Sequence, residues 1–174
     1  MKSRNSIQAA LTAVFASVYA IGVVFLAPIS FQLFQVRVAD ALLPLAMLFG
    51  WPAILGLSIG AFVANVFGGL GPVDMIGGAI ANFIATLAAW QIAQRKGKVW
   101  LFIGVAIEIV VVTVIVGSYL SYLFGMPIFV GWLGVLLGSV AAIGALGSIL
   151  LLALSTDRMA TVLSPYGLER NRRD

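Results

Sequence analysis

The sequence predicts an all-α membrane protein, a bundle of six transmembrane helices with a short second one and both termini in the cytoplasm. Three observations predict it. First, the 174 residues are 62% apolar and only 9% charged, with a mean hydropathy of +1.13. Soluble domains are about 45–50% apolar and about 25% charged, so this chain has too little polar surface to face water on every side. Second, the apolar residues fall in long runs separated by Pro, Gly and charged punctuation. Third, the basic residues gather at the chain ends and in one hairpin. Such a distribution reports orientation in a membrane and is not a nucleic-acid footprint.

The first apolar run, residues 5–27, follows Lys2 and Arg4. It is long enough to cross a hydrocarbon core of roughly 30 Å, so a retained span is expected and not a cleaved signal peptide. Pro28 to Asp40 is a loop, within which Phe31 to Val38 alternates enough to be extended or re-entrant. Residues 41–49 form a short apolar segment ending at Gly50. At about 1.5 Å per residue it covers less than half of the core. Trp51-Pro52 opens a third span that runs to about Phe67, with Pro in a helical first turn. Gly68-Gly69-Leu70-Gly71-Pro72 breaks the chain, and Asp74 is expected to cap a fourth helix reaching Ala93. Arg95-Lys96-Gly97-Lys98 is a polar hairpin, residues 99–123 a fifth span, Gly125-Met126-Pro127 a turn, and 128–156 the last span. Residues 1–174 read as one transmembrane domain.

Six spans place Lys2, Arg4, Arg95, Lys96, Lys98, Arg158, Arg170, Arg172 and Arg173 on one side, with Arg37 elsewhere. The positive-inside rule makes that side the cytoplasm. Five spans would divide the basic residues between the two faces. The expectation is a multi-pass protein of the cell membrane, with the lipid bilayer as its solvent.

Two spans carry small residues at helical spacing. In the first, Ser6, Ala9, Ala13, Ala16 and Ala20 share a face; in the last, Gly131, Gly134, Gly138, Ala141, Ala145 and Ser148 do. Lipid supplies no hydrophobic drive between helices, so close approach through small residues holds them together. For the last span packing within the bundle is the favoured reading. For the first, packing against another protein weighs nearly as much.

A few polar residues stand in or beside the apolar segments: Arg37, Asp40, Asn65, Asp74, Asn82, Glu108, Tyr119 and Tyr122. An ionisable side chain at the centre of a membrane costs at least about 2.5–3.5 kcal/mol and usually marks a site or pathway. Glu108 falls near mid-depth of the fifth span. Tyr119 and Tyr122 follow on the same face, an arrangement able to hold a polar, planar ligand. The bland alternative is a protonated Glu bonded to a neighbouring helix. Asn65 and Asp74 flank the glycine-rich break, whose free backbone groups are tolerable only against protein or a cavity. A simple turn capped by Asp74 is equally open. Arg37 and Asp40 sit three residues apart and could pair with each other. Asn82, two turns below Asp74, needs a partner for its amide. Trp51, Trp90 and Trp100 read as interfacial anchors, and Trp132 as an anchor or a stacking surface at the opposite rim.

The sequence contains no Cys and no His, which excludes disulfides, thiol catalysis and the usual zinc and haem ligands. It has no Gly-Lys-Ser/Thr phosphate loop and no nucleophile–base pair. No catalytic residue, metal or cofactor is expected, and any energy for pumping has to come from another subunit.

Residues 35–74 resemble the queuosine-precursor transporter (QueT) family, the substrate-binding S components of energy-coupling factor (ECF) importers. The matching stretches are Gln35-Val36-Arg37-Val38-Ala39-Asp40-Ala41-Leu42, then Gly56 and Gly60, then Ala64-Asn65-Val66-Phe67-Gly68-Gly69-Leu70-Gly71-Pro72-Val73-Asp74. Ile115-Val116-Gly117 to Gly125-Met126-Pro127 extends the likeness. The resemblance implies a subunit that captures a 7-deazaguanine, in its 7-cyano or 7-aminomethyl form, from outside the cell. It also implies docking on a transmembrane coupling subunit carried by two ATPase subunits, through the small residues Ala9, Ala13, Ala16 and Ala20. Arg37, Asp40, Asn65, Asp74, Asn82, Glu108 and Tyr119 are the candidate ligand residues. A carboxylate and amides can read the N–H donors of a guanine-like edge, and Tyr or Trp can stack on its face. The likeness departs at Asp40, Val112, Tyr119 and Ser139, where the family carries Glu, Asn, Glu and Glu. The rival expectations are an S component for another small heterocycle or vitamin, a stand-alone proton- or cation-coupled carrier, and a structural subunit without a ligand.

Overall fold

The computed structural model describes residues 2–30, 36–95 and 97–156, and among these every regular element is helical. We label six helices: α1 (Lys2–Phe25), α2 (Val38–Phe49), α3 (Trp51–Gly68), α4 (Pro72–Ala93), α5 (Val99–Phe124) and α6 (Ile128–Leu154). All but α2 are long and apolar enough to cross a membrane. A single further turn, Ala27–Ser30, follows α1. The loop expected from Pro28 to Asp40 is helical at both ends, up to Ser30 and from Val38, while its residues 31–35, Lys96 and the basic C-terminal residues from Arg158 onward lie outside the described residues.

The long helices pack largely in chain order around α2. α1 lies on α3, α3 on α4, α4 on α5 and α5 on α6, while α2 rests chiefly against the middle of α6. α1 and α6 flank an apolar groove of about 360 Å³ floored by Val38, Ala39, Ala41 and Leu42 of α2.

α2 corrects the length expected for the second segment. It begins at Val38, not at residue 41, and its first eight residues, Val38–Leu45, form a 3₁₀ helix before the α-helical turn Ala46–Phe49. A 3₁₀ helix rises about 2.0 Å per residue, so the whole element reaches about 22 Å. Its neighbour gives the same measure. Arg37 lies beside Asp74 and Gly50 beside Trp90, and residues 74 to 90 of an α-helix span about 24 Å. The stretched helix is thus long enough to match most of a hydrocarbon core of roughly 30 Å with few residues. Ala39, Asp40, Ala41 and Leu43 to Leu48 are all buried, so its irregular backbone is sheltered by protein, the condition under which a membrane tolerates it.

Glycines set the helix contacts. At α1–α3, a Cβ on Gly56 would stand 2.6 Å from the Thr12 carbonyl oxygen, and one on Gly60 would stand 2.7 Å from that of Ala16. Ala16 and Ala20 therefore turn partly inward, while Ala9 and Ala13 stay exposed. At α5–α6, Gly117 and Gly131 meet backbone to backbone. The expected seam of the last span holds only in its first half. Gly131, Gly134 and Gly138 are buried, but Ala141 and Ala145 are exposed. The reason is a π-helical stretch, Val140–Gly147, which adds a residue to the turn. The buried face then steps from Gly138 to Ala142 to Gly147 to Leu151, and Gly147 packs on Pro44 of α2.

Trp51 lies against Trp90 with ring centroids 6.1 Å apart, and the Arg95 guanidinium sits 4.6 Å over the Trp100 ring. These aromatics mark one rim of the bundle, as an interfacial belt requires. At the other rim the Trp132 indole N–H donates to the Ser118 hydroxyl at 3.0 Å.

Candidate functional site

The polar residues assemble in layers between the rim formed by residues 68–72 and the middle of the bundle. The outermost layer is a network centred on Asp74. Gly69 and Gly71 hold positive φ and turn α3 into α4. Gly71, not Asp74, occupies the N-cap position, and α4 starts at Pro72. This corrects the expected cap: Asp74 already lies inside the first turn, and its carboxylate points to neighbouring helices. The Tyr119 hydroxyl of α5 donates to Asp74 Oδ1 at 2.9 Å, and Arg37 Nη2 lies 3.6 Å from the same oxygen. Asn65 Nδ2 donates to the Asp74 carbonyl at 2.7 Å and ties the end of α3 to the first turn of α4. Arg37, Asn65 and Asp74 are all buried.

Two adjacent glycines make room for this network. A Cβ on Gly77 would lie 2.8 Å from the Tyr119 ring, and one on Gly78 would collide with the Asn65 amide and come within 3.6 Å of Arg37 Nη1. Glycine inside a helix costs roughly 0.5–1 kcal/mol relative to Ala. That cost is the signal in the sequence that marks Gly77-Gly78, which are absent from the expected site.

The next layer is a small hollow lined by Arg37 and Asp40 of α2, Asn82 of α4, Val112 and Val116 of α5, and Val135, Gly138 and Ser139 of α6. It offers about 10 Å³ for the centre of a water molecule, enough for about one water. Asn82 Nδ2 donates to the Leu57 carbonyl at 3.3 Å. Asp40 accepts a short hydrogen bond from the Tyr19 hydroxyl, at 2.5 Å. Tyr19 is wholly buried and brings α1 to the site. The expectations omit it, although a Tyr deep in an apolar span needs a partner for its hydroxyl. Tyr19→Phe removes the one donor seen on Asp40 Oδ1 and should lower stability by about 1–3 kcal/mol, read as a fall in melting temperature of the purified protein. An unchanged melting point would show that this bond contributes nothing.

Glu108 lies one turn deeper than Val112 on the same face of α5. It is wholly buried, and neither carboxylate oxygen has a hydrogen-bond partner among the described residues. Asp40 is the neighbouring charge whose field reaches it. The expected column of Glu108, Tyr119 and Tyr122 does not form. Tyr119 is committed to Asp74, and Tyr122 is 80% exposed. Fourteen residues carry Tyr122 past the buried stripe, because helix α5 leans on α4 and α6 and leaves one side uncovered.

The structure thus brings Arg37, Asp40 and Asn82 onto one hollow. Asn65, Asp74 and Tyr119 lie directly above it, and Glu108 lies below. Val112 and Ser139, two of the positions at which the family likeness departs, face the same hollow. Among the described residues no group of three or more acidic, His or Cys side chains could hold a metal ion.

Neither the curated proteins nor the solved structures contain a match to this chain. The family model described as QueT transporter does match, over residues 9–156. That range includes every residue of the layered site, and five helices long and apolar enough to cross a membrane, with a sixth, shorter apolar helix, agree with a multi-pass membrane transporter. The chain belongs to the QueT transporter family.

Proposed function

We propose that this transporter is the substrate-binding S component of an ECF-type importer, and that it captures a 7-deazaguanine precursor of queuosine or archaeosine from outside the cell. The observation that carries the reading is the convergence of Arg37, Asp40, Asn82 and Ser139 on one hollow at the outer end of the bundle. "Outer" follows from charge. The site lies at the end opposite Arg95 and Lys98, and basic loops stay in the cytoplasm. A guanidinium, a carboxylate, an amide and a hydroxyl between valine walls suit a flat, polar heterocycle. They give donors and acceptors to its edge and apolar contact to its faces.

A base is larger than the present hollow, so binding has to part its walls. Gly138 and Ser139 stand immediately before the π-helical stretch of α6, a weak point in the helix ladder that is frequent at functional sites. Movement of the outer half of α6 there would widen the hollow while Gly117 and Gly131 keep that half on α5. The exposed Ala9 and Ala13 of α1 offer the smooth face on which the coupling subunit docks, and the two ATPase subunits complete the importer.

A thermal-shift panel of deazapurines, purines and vitamins on the purified chain tests the reading. A saturating deazaguanine, at about 100 times its Kd, should stabilise the fold by about 2.7 kcal/mol. Stabilisation by a vitamin alone would move the assignment to another S component. Uptake into liposomes by the chain alone, with no ATPase, would point to a stand-alone carrier built on Glu108.

A further inference from the structure

We propose that Tyr19 of α1 is a positioning residue for the site: it touches no ligand, and its hydroxyl holds the Asp40 carboxylate off Arg37 so that both charges stay open to the hollow. The inference rests on the importer reading above and adds to it a residue that does not line the hollow.

The first ground is a pairing that the fold withholds. Arg37 and Asp40 stand three residues apart at the start of a 3₁₀ helix, where side chains at i and i+3 eclipse one another. Opposite charges placed in this way are expected to close into an ion pair, because their attraction is strong in a low-dielectric interior. Arg37 makes its ion pair with Asp74 instead, and among the described residues none joins it to Asp40. Asp40 Oδ1 accepts from the Tyr19 hydroxyl at 2.5 Å. Arg37 and Asp40 both line the hollow, so two opposite charges share a buried site without closing on each other. The phenol is the one donor on the Asp40 carboxylate among the described residues. Asp40 Oδ2 takes no hydrogen bond there and is not sealed off, which leaves it to the ligand.

The second ground is the way Tyr19 is held. It is wholly buried, and α1 is pinned on both sides of it. A Cβ on Gly60 of α3 would stand 2.9 Å from the Tyr19 Cβ, and one on Gly22 would stand 3.3 Å from the Cβ of Ala39, the neighbour of Asp40. A phenol locked by packing gives its partner one position, and a binding group is as precise as the contacts that fix it. The other described polar residues of α1, Asn5, Ser6, Gln8, Thr12 and Ser17, are exposed or half-buried. Asn82, the amide of the hollow, is a further polar neighbour of the Tyr19 hydroxyl. With the hydroxyl gone, Asp40 is free to swing onto Arg37 and withdraw both charges from a ligand.

The test is a double-mutant cycle in affinity. The Kd of 7-aminomethyl-7-deazaguanine is measured by calorimetry on the full-length chain in nanodiscs, for the parent, Tyr19→Phe, Asp40→Asn and the double variant. Tyr19→Phe should weaken binding at least about tenfold, the scale of one lost hydrogen bond to a charged group. Asp40→Asn should weaken it at least as much. Adding Tyr19→Phe to Asp40→Asn should then change Kd by less than about twofold, because Tyr19 acts through Asp40. A phenol that only buttresses the fold lowers the melting temperature and leaves Kd unchanged, and that result overturns the inference. Losses that multiply in the double variant overturn it too, as does an Asp40→Asn protein that binds like its parent. Absence of binding by the parent removes the deazaguanine reading, and this inference with it. If Tyr19→Phe fails to fold, 3-fluorotyrosine at position 19 keeps the hydroxyl. Its fluorine resonance should move on saturation with the same compound, and a resonance that stays in place overturns the inference.

Discussion

Arg37→Met is expected to destabilise the protein by about 3–5 kcal/mol and to abolish measurable ligand binding. The guanidinium is 5% exposed and Asp74 is fully buried beside it, so removing the cation strands a carboxylate in a medium that cannot solvate it. Breaking one side of a buried ion pair costs about that much, whereas replacing both sides with apolar groups is often nearly neutral. The double change Arg37→Met with Asp74→Leu should therefore recover much of the stability and none of the binding. The pair is close enough for the two effects to be strongly non-additive. Melting temperatures of the four proteins in detergent, with a ligand titration on each, read both quantities. A single variant within about 1 kcal/mol of the parent would mean the pair is not as sheltered as the geometry indicates.

The second large effect is expected at the α1–α3 contact. Gly60→Val places a branched side chain where the Ala16 carbonyl and the Tyr19 Cβ stand 2.7 and 2.9 Å from a Cβ position. Backbone cannot rotate away as a flexible side chain can, so the two helices must separate. Overpacking typically costs about 1–3 kcal/mol and occasionally more. Here the displacement also pulls the Tyr19 hydroxyl off Asp40, which adds to the loss. Little folded protein should be recovered at 37 °C. Ala13→Leu, on the exposed side of the same helix, is the matching control. It should leave the melting temperature of the isolated chain unchanged and, on the proposed importer reading, reduce co-purification with a coupling subunit. Equal stability of Gly60→Val and its parent would show that α1 does not lie on α3 as described.

These expectations draw on different levels of information. The spans, their order and the punctuation between them were legible from the apolar runs, because a membrane demands about 20 apolar residues for each full crossing. Trp51-Pro52, the glycine-rich break before α4 and the turn at Gly125 all fall where composition put them. The layered site was legible only as a list. Rarity of charge in lipid singled out Arg37, Asp40, Asp74 and Glu108, but rarity has no direction. It placed Glu108 with Tyr119 and Tyr122, whereas packing turned Tyr119 to Asp74 and left Tyr122 exposed.

Tyr19 and Gly77-Gly78 were missed for a related reason. A Tyr in a span and two glycines in a helix are individually ordinary, and their meaning lies in partners from other helices. The same holds for backbone form. Pro44 is a local signal against a regular α-helix in Val38–Leu45, but it does not by itself specify a 3₁₀ helix, and nothing in Val140–Gly147 announces a π stretch. Each is settled by the fit of α2 against α6, where Gly147 receives Pro44.

By itself, then, the sequence determined that the chain is a set of long apolar helices suited to a bilayer, where those helices begin and end, and which polar side chains stand among them. Those properties follow from solvation, which each segment meets alone. Which of those side chains meet, and that Arg37, Asp40 and Asn82 share a hollow while Glu108 waits beneath it, was decided only when five helices closed around a sixth. Contacts across helices depend on rotation and depth of every element at once, and no single stretch of chain carries that information.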